Sequence, residues 1–409
     1  MNVRERFREV MAGGKAAAPK WEFGYWGANY ANWYREGLAR RHAPRPLTKV
    51  TTTSSSLYVP CWNAMPKGTL AAGMAVLGGG LYWPTQGFAL DKDVREACGM
   101  DAGQILVNVD LLFHPHFEPR VLEENDTHMV YVDIDGVKRQ FEKSTGVIPM
   151  AVENPIRDWA TWNALKAERL SLKDVKGRFP AHWPALLQKY RTRDYPLVLG
   201  GYPCGFFGTL AHLMGYEHLF YNYTDEPKLI HDILRTFTDV WLAVYEEVLS
   251  QTDVDLFVIW EDISAGTGSM VAPAMIREFM LPYYKRLTGF LKAHGVSTIF
   301  VDTDGECTDL IPLFLEGGVT GLYPMEASCG VDIVKVRRQY PTLQMMGGIP
   351  KSEILKGTAR IDEILEPVAQ VLATGRYVPF GDHLIPPDVH WPEFSYYRRR
   401  LNELIDSAR

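Results

Sequence analysis

Short, continuous runs of apolar residues recur along the chain, and several of them end in acidic side chains. In the clearest run, residues 298–301 are all β-branched or aromatic, and Asp302 and Asp304 follow. A strand that is buried on both faces of a parallel sheet has such a continuous apolar pattern. The same order recurs in three further segments, at residues 256–262, 321–326 and 377–383. Because parallel strands end at one side of a sheet, the pattern predicts a face that collects many carboxylates.

Eight segments have the pattern of buried strands, centred near residues 21, 106, 196, 256, 298, 321, 343 and 377. Helical patterns separate most of them, as in folds where strands and helices alternate around a parallel sheet. We therefore predict an α/β fold, a (β/α)8 TIM barrel, as a single domain over residues 1–409. A doubly wound open sheet is the alternative. It is disfavoured because no GxGxxG segment follows a strand.

Two features fall outside this alternation. Apolar spacing at residues 3–11 and around residues 33–37 predicts N-terminal helices. Alternating residues on both sides of Asp135 and Gly136 predict a β-hairpin over residues 128–142, because Asp-Gly suits a two-residue turn with positive φ angles. We expect this hairpin to be an excursion from the barrel.

Composition narrows the function classes. The 409 residues are 46% hydrophobic, which is typical of a globular protein with a large core. The 43 basic and 49 acidic side chains give a net charge of −6, which disfavours binding to nucleic acid or to an anionic membrane. No apolar run reaches the ~20 residues that span a bilayer. Residues 1–8 lack the apolar segment of a secretory signal, and the five cysteines form no CxxC pair, so we expect a cytosolic protein with reduced thiols.

In a barrel, the acids at the strand ends would face one cavity, where repeated carboxylates indicate an enzyme. Any one of them is equally well explained as a helix cap or a salt-bridge partner. Among them we favour function for Asp262 and Asp302. The candidates are Glu22, Asp110, Glu261, Asp262, Asp302, Asp304, Glu326, Asp382 and the adjacent His383.

Asp302 and Asp304 are two residues apart, so in a regular strand both side chains point to the same side. With Glu326 and with Asp382 or His383, they would provide oxygen and nitrogen ligands for zinc, manganese or iron. Without a metal, the close acids would raise one another's pKa and provide a general acid near neutral pH.

Aromatic side chains near the predicted strand ends are candidates for substrate contacts. A glycine-rich aromatic loop at residues 200–208 would let a flat ligand approach the backbone, or would simply form a tight turn. The predicted substrate-binding residues are Glu22, Tyr25, Trp26, Tyr202, Phe206, Trp260, Met325 and His383.

Four motifs carry a resemblance to a known family, and they lie at residues 260–262, 301–305, 347–349 and 382–389. With the helical pattern at residues 273–284, they resemble the uroporphyrinogen decarboxylase superfamily, which includes the methylcobalamin:coenzyme M methyltransferases and corrinoid-dependent demethylases. The resemblance implies a TIM barrel that is often a dimer, and we expect a homodimer.

The superfamily that the chain resembles has two branches. The decarboxylase branch carries arginines on its first strand for the substrate carboxylates, but residues 21–27 contain none. The methyltransferase branch holds zinc with a His-x-Cys pair, and Asp302 and Asp304 stand at those positions. Carboxylates suit harder metals or oxygen substrates better than thiols.

The sequence therefore predicts a metal-assisted, corrinoid-linked methyltransferase or demethylase of a small substrate. Glu261, Asp262 and Asp302 would be catalytic. A partner protein would carry the corrinoid, and a divalent metal would bind at the strand ends. The alternatives are a metal-free decarboxylase and a non-catalytic binding protein. The predicted ligands are Asp302, Asp304, Glu326, Asp382 and His383.

Overall fold

The computed structural model describes residues 1–25, 27–42, 92–142, 149–202 and 204–408. Trp26, one of the predicted substrate contacts, lies outside these residues, as does Cys61. The described strands are β1 (Ile105–Leu106), β2 (Arg120–Glu124), β3 (His128–Val132), β4 (Lys138–Glu142), β5 (Met150–Glu153), β6 (Leu197–Gly200), β7 (Leu256–Trp260), β8 (Ser264–Ala265), β9 (Gly268–Ser269), β10 (Ile299–Asp302), β11 (Gly321–Tyr323), β12 (Gln344–Met346) and β13 (Tyr377–Val378).

Helices connect these strands along the chain. The described α-helices are α1 (Val3–Ala12), α2 (Gly27–Arg35), α3 (Lys92–Cys98), α4 (Trp159–Arg169), α5 (Trp183–Arg191), α6 (Phe206–Met214), α7 (Tyr216–Asp225), α8 (Pro227–Leu249), α9 (Pro273–Met275), α10 (Leu281–Ala293), α11 (Ile311–Glu316), α12 (Ile333–Gln339), α13 (Thr358–Leu372) and α14 (Trp391–Ser407).

A parallel sheet of seven strands forms the centre of the fold, in the order β1-β6-β7-β10-β11-β12-β13. Seven of the eight predicted strand segments are thus confirmed. Most of their apolar residues are buried, and β6 and β10 are buried along their whole length. This is why the apolar runs are continuous rather than alternating.

The eighth predicted strand, near residue 21, is wrong as a strand. Only Tyr25 forms an isolated parallel bridge, to Ile385. The Glu22 side chain replaces part of a ladder, because its Oε1 accepts hydrogen bonds from the N–H groups of Phe23 and Gly381. The segment lies beside the sheet and does not form a closed eight-stranded ladder with it.

Helix α8 illustrates why the helices cover the sheet. Its buried residues include Leu229, Ile230, Ile233, Leu234 and Phe237, which recur at the three- and four-residue spacing of one helix face. Proline at the first position is compatible with helix initiation. The helix packs against α6, α7 and α10. Among the described residues, no helix is long and apolar enough to cross a membrane.

A second sheet is antiparallel, in the order β2-β3-β4-β5. The pairing of β3 with β4 confirms the hairpin predicted at residues 128–142. The turn is longer than predicted. Asp133 Oδ1 accepts hydrogen bonds from the N–H groups of Asp135 and Val137, so residues 133–137 form a loop stabilised by an aspartate side chain.

Pro282 lies close to an irregular turn in its helix, as the missing N–H group of proline requires. A π-helical turn, Ile276–Met280, separates α9 from α10, and Pro282 lies in the first turn of α10. The wider turn accommodates a residue that has no N–H group to donate.

Candidate active site

The ends of three neighbouring strands meet at Asp302. In the register of the sheet, Asp302 is paired with Trp260 of β7 and with Tyr323 of β11. The Asp302 side chain is almost completely buried, because the residue is only 7% exposed. The Tyr323 hydroxyl donates a hydrogen bond of 2.9 Å to Asp302 Oδ2.

Asp262 and Asp304 lie in the loops that follow β7 and β10. Asp262 has a φ angle of 45°, a left-handed conformation that is unfavourable for a residue with a Cβ atom. The backbone N–H of Asp304 donates a hydrogen bond to the Asp262 carboxylate, which joins the two loops. Asp262, Asp302 and Asp304 are called the acid cluster below.

Burial and mutual repulsion raise the pKa of each carboxyl group in the acid cluster. For Asp302, burial is the main cause and the charge of Asp304 adds to it. For Asp262, burial acts together with the charges of Asp304 and Asp302. The pKa of Asp304 is also raised by burial, although His383 opposes the rise. A carboxyl group with a raised pKa retains its proton at higher pH and can act as a general acid.

His383 lies at the open side of the acid cluster. Its Nε2 is 3.4 Å from Asp304 Oδ2, and its ring packs against Phe23 with the centroids 4.8 Å apart. The preceding residue, Asp382, has no exposed surface. Of these two predicted ligands, His383 is therefore the one that a molecule in the site could contact.

Lys351 binds two of the five predicted metal ligands. Its Nζ lies 2.9 Å from Glu326 Oε1 and 3.8 Å from Asp382 Oδ1. The other oxygens accept backbone hydrogen bonds, Glu326 Oε2 from Gly305 and Asp382 Oδ2 from Ser328. These hydrogen bonds and Lys351 lower the pKa of Glu326, although burial opposes them.

The five predicted ligands do not fit a metal ion in this arrangement. The Lys351 ammonium group already pairs with Glu326 and Asp382, and Asp302 accepts a hydrogen bond from Tyr323. Within the described part of the chain, no three His, Cys, Asp or Glu side chains converge on a point where they could hold a metal ion.

Comparisons with known proteins identify the family. The family model for uroporphyrinogen decarboxylase (URO-D) matches residues 126–393, which is more than half of the chain. The chain belongs to this family.

The fold agrees with that membership. A solved methyltransferase from Methanosarcina mazei superposes on this chain with a TM-score of 0.55. Its sequence identity is 13%, and the superposition covers 98% of both chains. At this identity, the likeness concerns the fold alone. No curated protein matches this chain.

Glu261, predicted as a catalytic residue, forms a cap on α6 in this member of the family. Its carboxylate accepts hydrogen bonds from the N–H groups of Phe206, Phe207 and Gly208, and from the Tyr284 hydroxyl. The residue has no exposed surface. Glu261 therefore lies behind the acid cluster, where a substrate would not reach it.

Several predicted substrate contacts are likewise buried. Glu22 forms an ion pair of 3.1 Å with Arg398, and neither side chain is exposed. Tyr25, Phe206 and Met325 are part of the hydrophobic core. Each lies near a strand end, but its side chain packs inside the protein and presents no surface to a ligand.

Tyr202 and Trp260 are different, because both remain partly exposed. Their rings meet edge to face, with the centroids 4.4 Å apart. The charge of Asp262 acts on the Tyr202 phenol, and burial together with this charge raises the pKa of that phenol well above 10.0. Tyr202 and Trp260 therefore form a wall of the site beside the acid cluster.

Sequence reasoning missed Tyr323 and Lys351. Tyr323 lies in a segment that the sequence predicts as a strand, shortly before Met325 and Glu326. That position could have identified it as a residue at the end of a strand, facing the site. Lys351 gave no signal, because a lysine after a strand is usually solvated. Its pairing depends on two carboxylates that are 25 and 31 residues away in sequence.

We expect Lys351→Met to destabilise the protein by about 2 kcal/mol near pH 8, because it leaves two poorly exposed carboxylates without a cation. A carboxyl with a lowered pKa contributes stability above its unfolded value, here 4.5, so the loss should shrink as the pH falls below that value. Urea unfolding near pH 8 and below pH 4.5 measures this loss of stability. Lys356→Met is the matched control, since Lys356 pairs with Glu353 at the surface. Equal losses in both variants would contradict this role for Lys351.

Proposed function

We propose that this protein is an enzyme that removes a methyl group from a small neutral or cationic substrate, with the acid cluster as its reaction centre. The observation that carries the proposal is the set of three neighbouring aspartates with raised pKa values at the ends of β7 and β10. When a methyl group leaves an ether oxygen without its bonding electrons, that oxygen retains an electron pair and takes up a proton, whereas a quaternary ammonium group becomes a neutral amine. A protonated carboxyl supplies that proton.

Asp302 is the proposed proton donor. Its burial favours the protonated form, and the Tyr323 hydroxyl fixes one carboxyl oxygen. Asp262 and His383 are the proposed contacts that orient the substrate, since both are partly exposed beside Asp302. Trp260 and Tyr202 would cover the methyl-bearing part of the substrate with aromatic surface.

The charge of the site supports a neutral or cationic substrate. Among the described residues, no lysine or arginine forms a hydrogen bond or ion pair with Asp262 or Asp302. His383 and Lys351 oppose the rise in the pKa of Asp304. A substrate with several carboxylates, such as a porphyrinogen, would therefore meet repulsion here.

We propose as the methyl acceptor a corrinoid that is carried by a partner protein. When bound, such a group supplies a strong nucleophile for the methyl carbon. The part of this chain is then to bind the methyl donor, limit water around it and protonate the departing atom. All three tasks use side chains that are present at the strand ends.

The proposal is tested by offering the purified protein free, reduced cobalamin and three methyl donors, namely tetramethylammonium, 2-methoxyphenol and methoxyacetate. Methylcobalamin formation is followed by its absorbance. We expect the cation or the neutral ether to react at least ~10-fold faster than the anion, and Asp302→Asn to lower the rate with 2-methoxyphenol by about 100-fold. Asp309→Asn, an exposed change seven residues away, is the control. Release of CO₂ from uroporphyrinogen without methyl transfer would favour the decarboxylase alternative instead.

A further inference from the structure

A cavity lies at the end of the parallel sheet opposite to the acid cluster. Its volume is about 570 Å³, and it is enclosed by α1 and by residues at the starts of β7, β10, β11, β12 and β13. The acid cluster follows the other ends of β7 and β10, and the five residues of β7 alone span about 16 Å. The cavity is therefore separate from the proposed active site.

The wall of this cavity carries side chains that can form hydrogen bonds. The Thr320 hydroxyl donates to Gln344 Oε1 over 2.6 Å, and Gln344 Nε2 donates to the carbonyl oxygen of Met11 over 2.9 Å. These bonds connect the starts of the strands to α1. A polar cavity of this size holds water or a polar ligand, whereas an apolar one stays dry. The hydroxyl and amide side chains in the wall are Ser297, Thr298, Thr320, Thr342 and Gln344.

Arg8 lines the cavity from α1. The side chain is 58% exposed, and its Nε and Nη1 lie 3.6 Å from Asp255 and 3.9 Å from Asp253. Both distances are longer than a hydrogen bond. Asp255 already accepts hydrogen bonds from Arg4 and Arg193, so it does not depend on Arg8. The Arg8 guanidinium therefore keeps N–H donors that a ligand can use.

Arg376 lines the cavity from the start of β13. Its φ angle of 55° is unfavourable for a residue with a Cβ atom. The guanidinium lies over Gly13, where a Cβ atom would collide with it, and its Nη2 donates to the carbonyl oxygen of Ala12 over 3.0 Å. Among the residues that the structure describes, no carboxylate pairs with Arg376, so none of them balances its charge.

A second arginine beside Arg376 also lacks an acidic partner in the described part of the chain. Arg337 on α12 is only 6% exposed, and its Nη1 and Nη2 donate to the carbonyl oxygens of Leu343 and Arg376 at 2.7 and 3.1 Å. Its Nε has no hydrogen-bond partner there. Burial and the charge of Arg376 lower the pKa of Arg337 to about 10. Two positive charges thus repel one another beside the cavity, in a protein whose net charge is −6.

We propose that this cavity is a binding site for a small phosphate monoester. The phosphate group lies between Arg8 and Arg376, and the rest of the ligand contacts the threonine hydroxyls. An arginine binds an oxyanion through two parallel N–H donors, and such charge-assisted hydrogen bonds are stronger than neutral ones. The anion also offsets the repulsion between Arg376 and Arg337. This inference goes beyond the proposed methyl removal, which uses the opposite end of the sheet.

The arrangement of the donors favours a phosphate group over a carboxylate. One guanidinium comes from α1 and the other from the start of β13, and the hydroxyls of Thr298 and Thr320 come from the starts of β10 and β11. A phosphate monoester has three terminal oxygens at the corners of a tetrahedron, so it accepts hydrogen bonds from several directions at once. A carboxylate has two oxygens in one plane. The cavity is also larger than a phosphate group, which leaves room for a polar body.

Isothermal titration calorimetry of the full chain, in a buffer without phosphate and at constant salt, tests this site. Glycerol 3-phosphate is the ligand, succinate has a similar negative charge on carboxylates, and glycerol has no charge. We expect a Kd below ~1 mM for glycerol 3-phosphate, binding at least ~10-fold weaker for succinate and no measurable binding for glycerol. The measurement needs no turnover, so its result is independent of whether the protein transfers a methyl group.

Arg8→Met and Arg376→Met locate the ligand. Each should raise the Kd at least ~10-fold, because each removes a charge-assisted pair. Arg360→Met is the control, since Arg360 pairs with Glu353 and Glu363 at the surface, and its Kd should stay near that of the wild type. Thermal unfolding without ligand checks that each variant is folded, which we expect for Arg8→Met because the side chain is largely exposed. A Kd for glycerol 3-phosphate above ~1 mM, equal affinity for succinate, or an unchanged Kd in either cavity variant would overturn the proposal.

Discussion

Replacing Asp302 with asparagine should make the protein more stable and, at the same time, nearly inactive. The asparagine oxygen can still accept the hydrogen bond from Tyr323, so the packing of the site is kept. What the substitution removes is a buried carboxyl group whose charged form is disfavoured by burial and by Asp304. We expect a gain of about 1–3 kcal/mol near pH 8.

The direction of the stability change with pH follows from the pKa of Asp302. The pKa of Asp302 is higher in the folded protein than its ordinary value of 3.8. Between those two values the folded state binds a proton that the unfolded state has lost, so stability falls as the pH rises. The advantage of Asp302→Asn should therefore be small near pH 4 and should grow toward pH 8.

Urea unfolding at several pH values measures the effect, and the methyl-transfer assay measures activity on the same samples. Asp309→Asn controls for a general effect of removing a negative charge, since Asp309 is exposed on the segment that follows Asp304. Such a gain in stability with a loss of function is expected where a site holds unfavourable charges for its chemistry. An Asp302→Asn protein that is less stable near pH 8, or fully active, would contradict this account of the acid cluster.

The parallel sheet was predictable because its signal is local. Burial on both faces requires an uninterrupted apolar run, and that run is visible in β7 and β10 without any knowledge of the partners. The segment at residues 21–25 has a similar composition. Its backbone pairing is partly replaced by the Glu22 side chain, and no local pattern distinguishes such a segment from a strand.

The roles of the strand-end acids were less predictable, because each role depends on a distant partner. Asp302 and Asp304 lie close enough for their charges to interact, although Asp304 follows the end of β10, and the raised pKa values expected for a metal-free cluster are present. Glu22 meets Arg398 and Asp382 meets Lys351, across 376 and 31 residues. An acid at a strand end therefore indicates where the site lies, whereas its charge partners decide whether it takes part in chemistry.

Glu261 shows this distinction most clearly. We expect Glu261→Ala to destabilise the protein more than Lys351→Met does. The carboxylate lies at the N-terminus of α6, where the first backbone N–H groups of a helix have no partner within the helix. Gly205 and Gly208 allow this close approach, since a Cβ atom at either position would collide with the carbonyl oxygen of Trp260. Alanine would leave three buried N–H groups and the Tyr284 hydroxyl without their acceptor. We expect a loss of about 3–5 kcal/mol.

Glu261→Gln distinguishes the contribution of the hydrogen-bonded cap to stability from the effect of the carboxylate charge. Burial raises the pKa of Glu261 from 4.5 to about 7, against the opposing effect of its hydrogen-bond donors. Its contribution to stability therefore decreases as the pH rises from 4.5 to 7, by the same proton balance as for Asp302. Glu261→Gln keeps one acceptor oxygen and cannot ionise, so its deficit relative to the wild type should be larger near pH 5 than near pH 8.

Urea unfolding of both variants, with amide hydrogen exchange at residues 206–208, tests the cap directly. We expect faster exchange at those amides in Glu261→Ala, and unchanged exchange in Glu217→Ala, which removes an exposed glutamate from the first turn of α7. Activity per folded molecule should change much less in Glu261→Gln than in Asp302→Asn, because Glu261 has no surface in the site. A Glu261→Gln protein of normal stability but without activity would restore the catalytic role that its position after β7 first suggested.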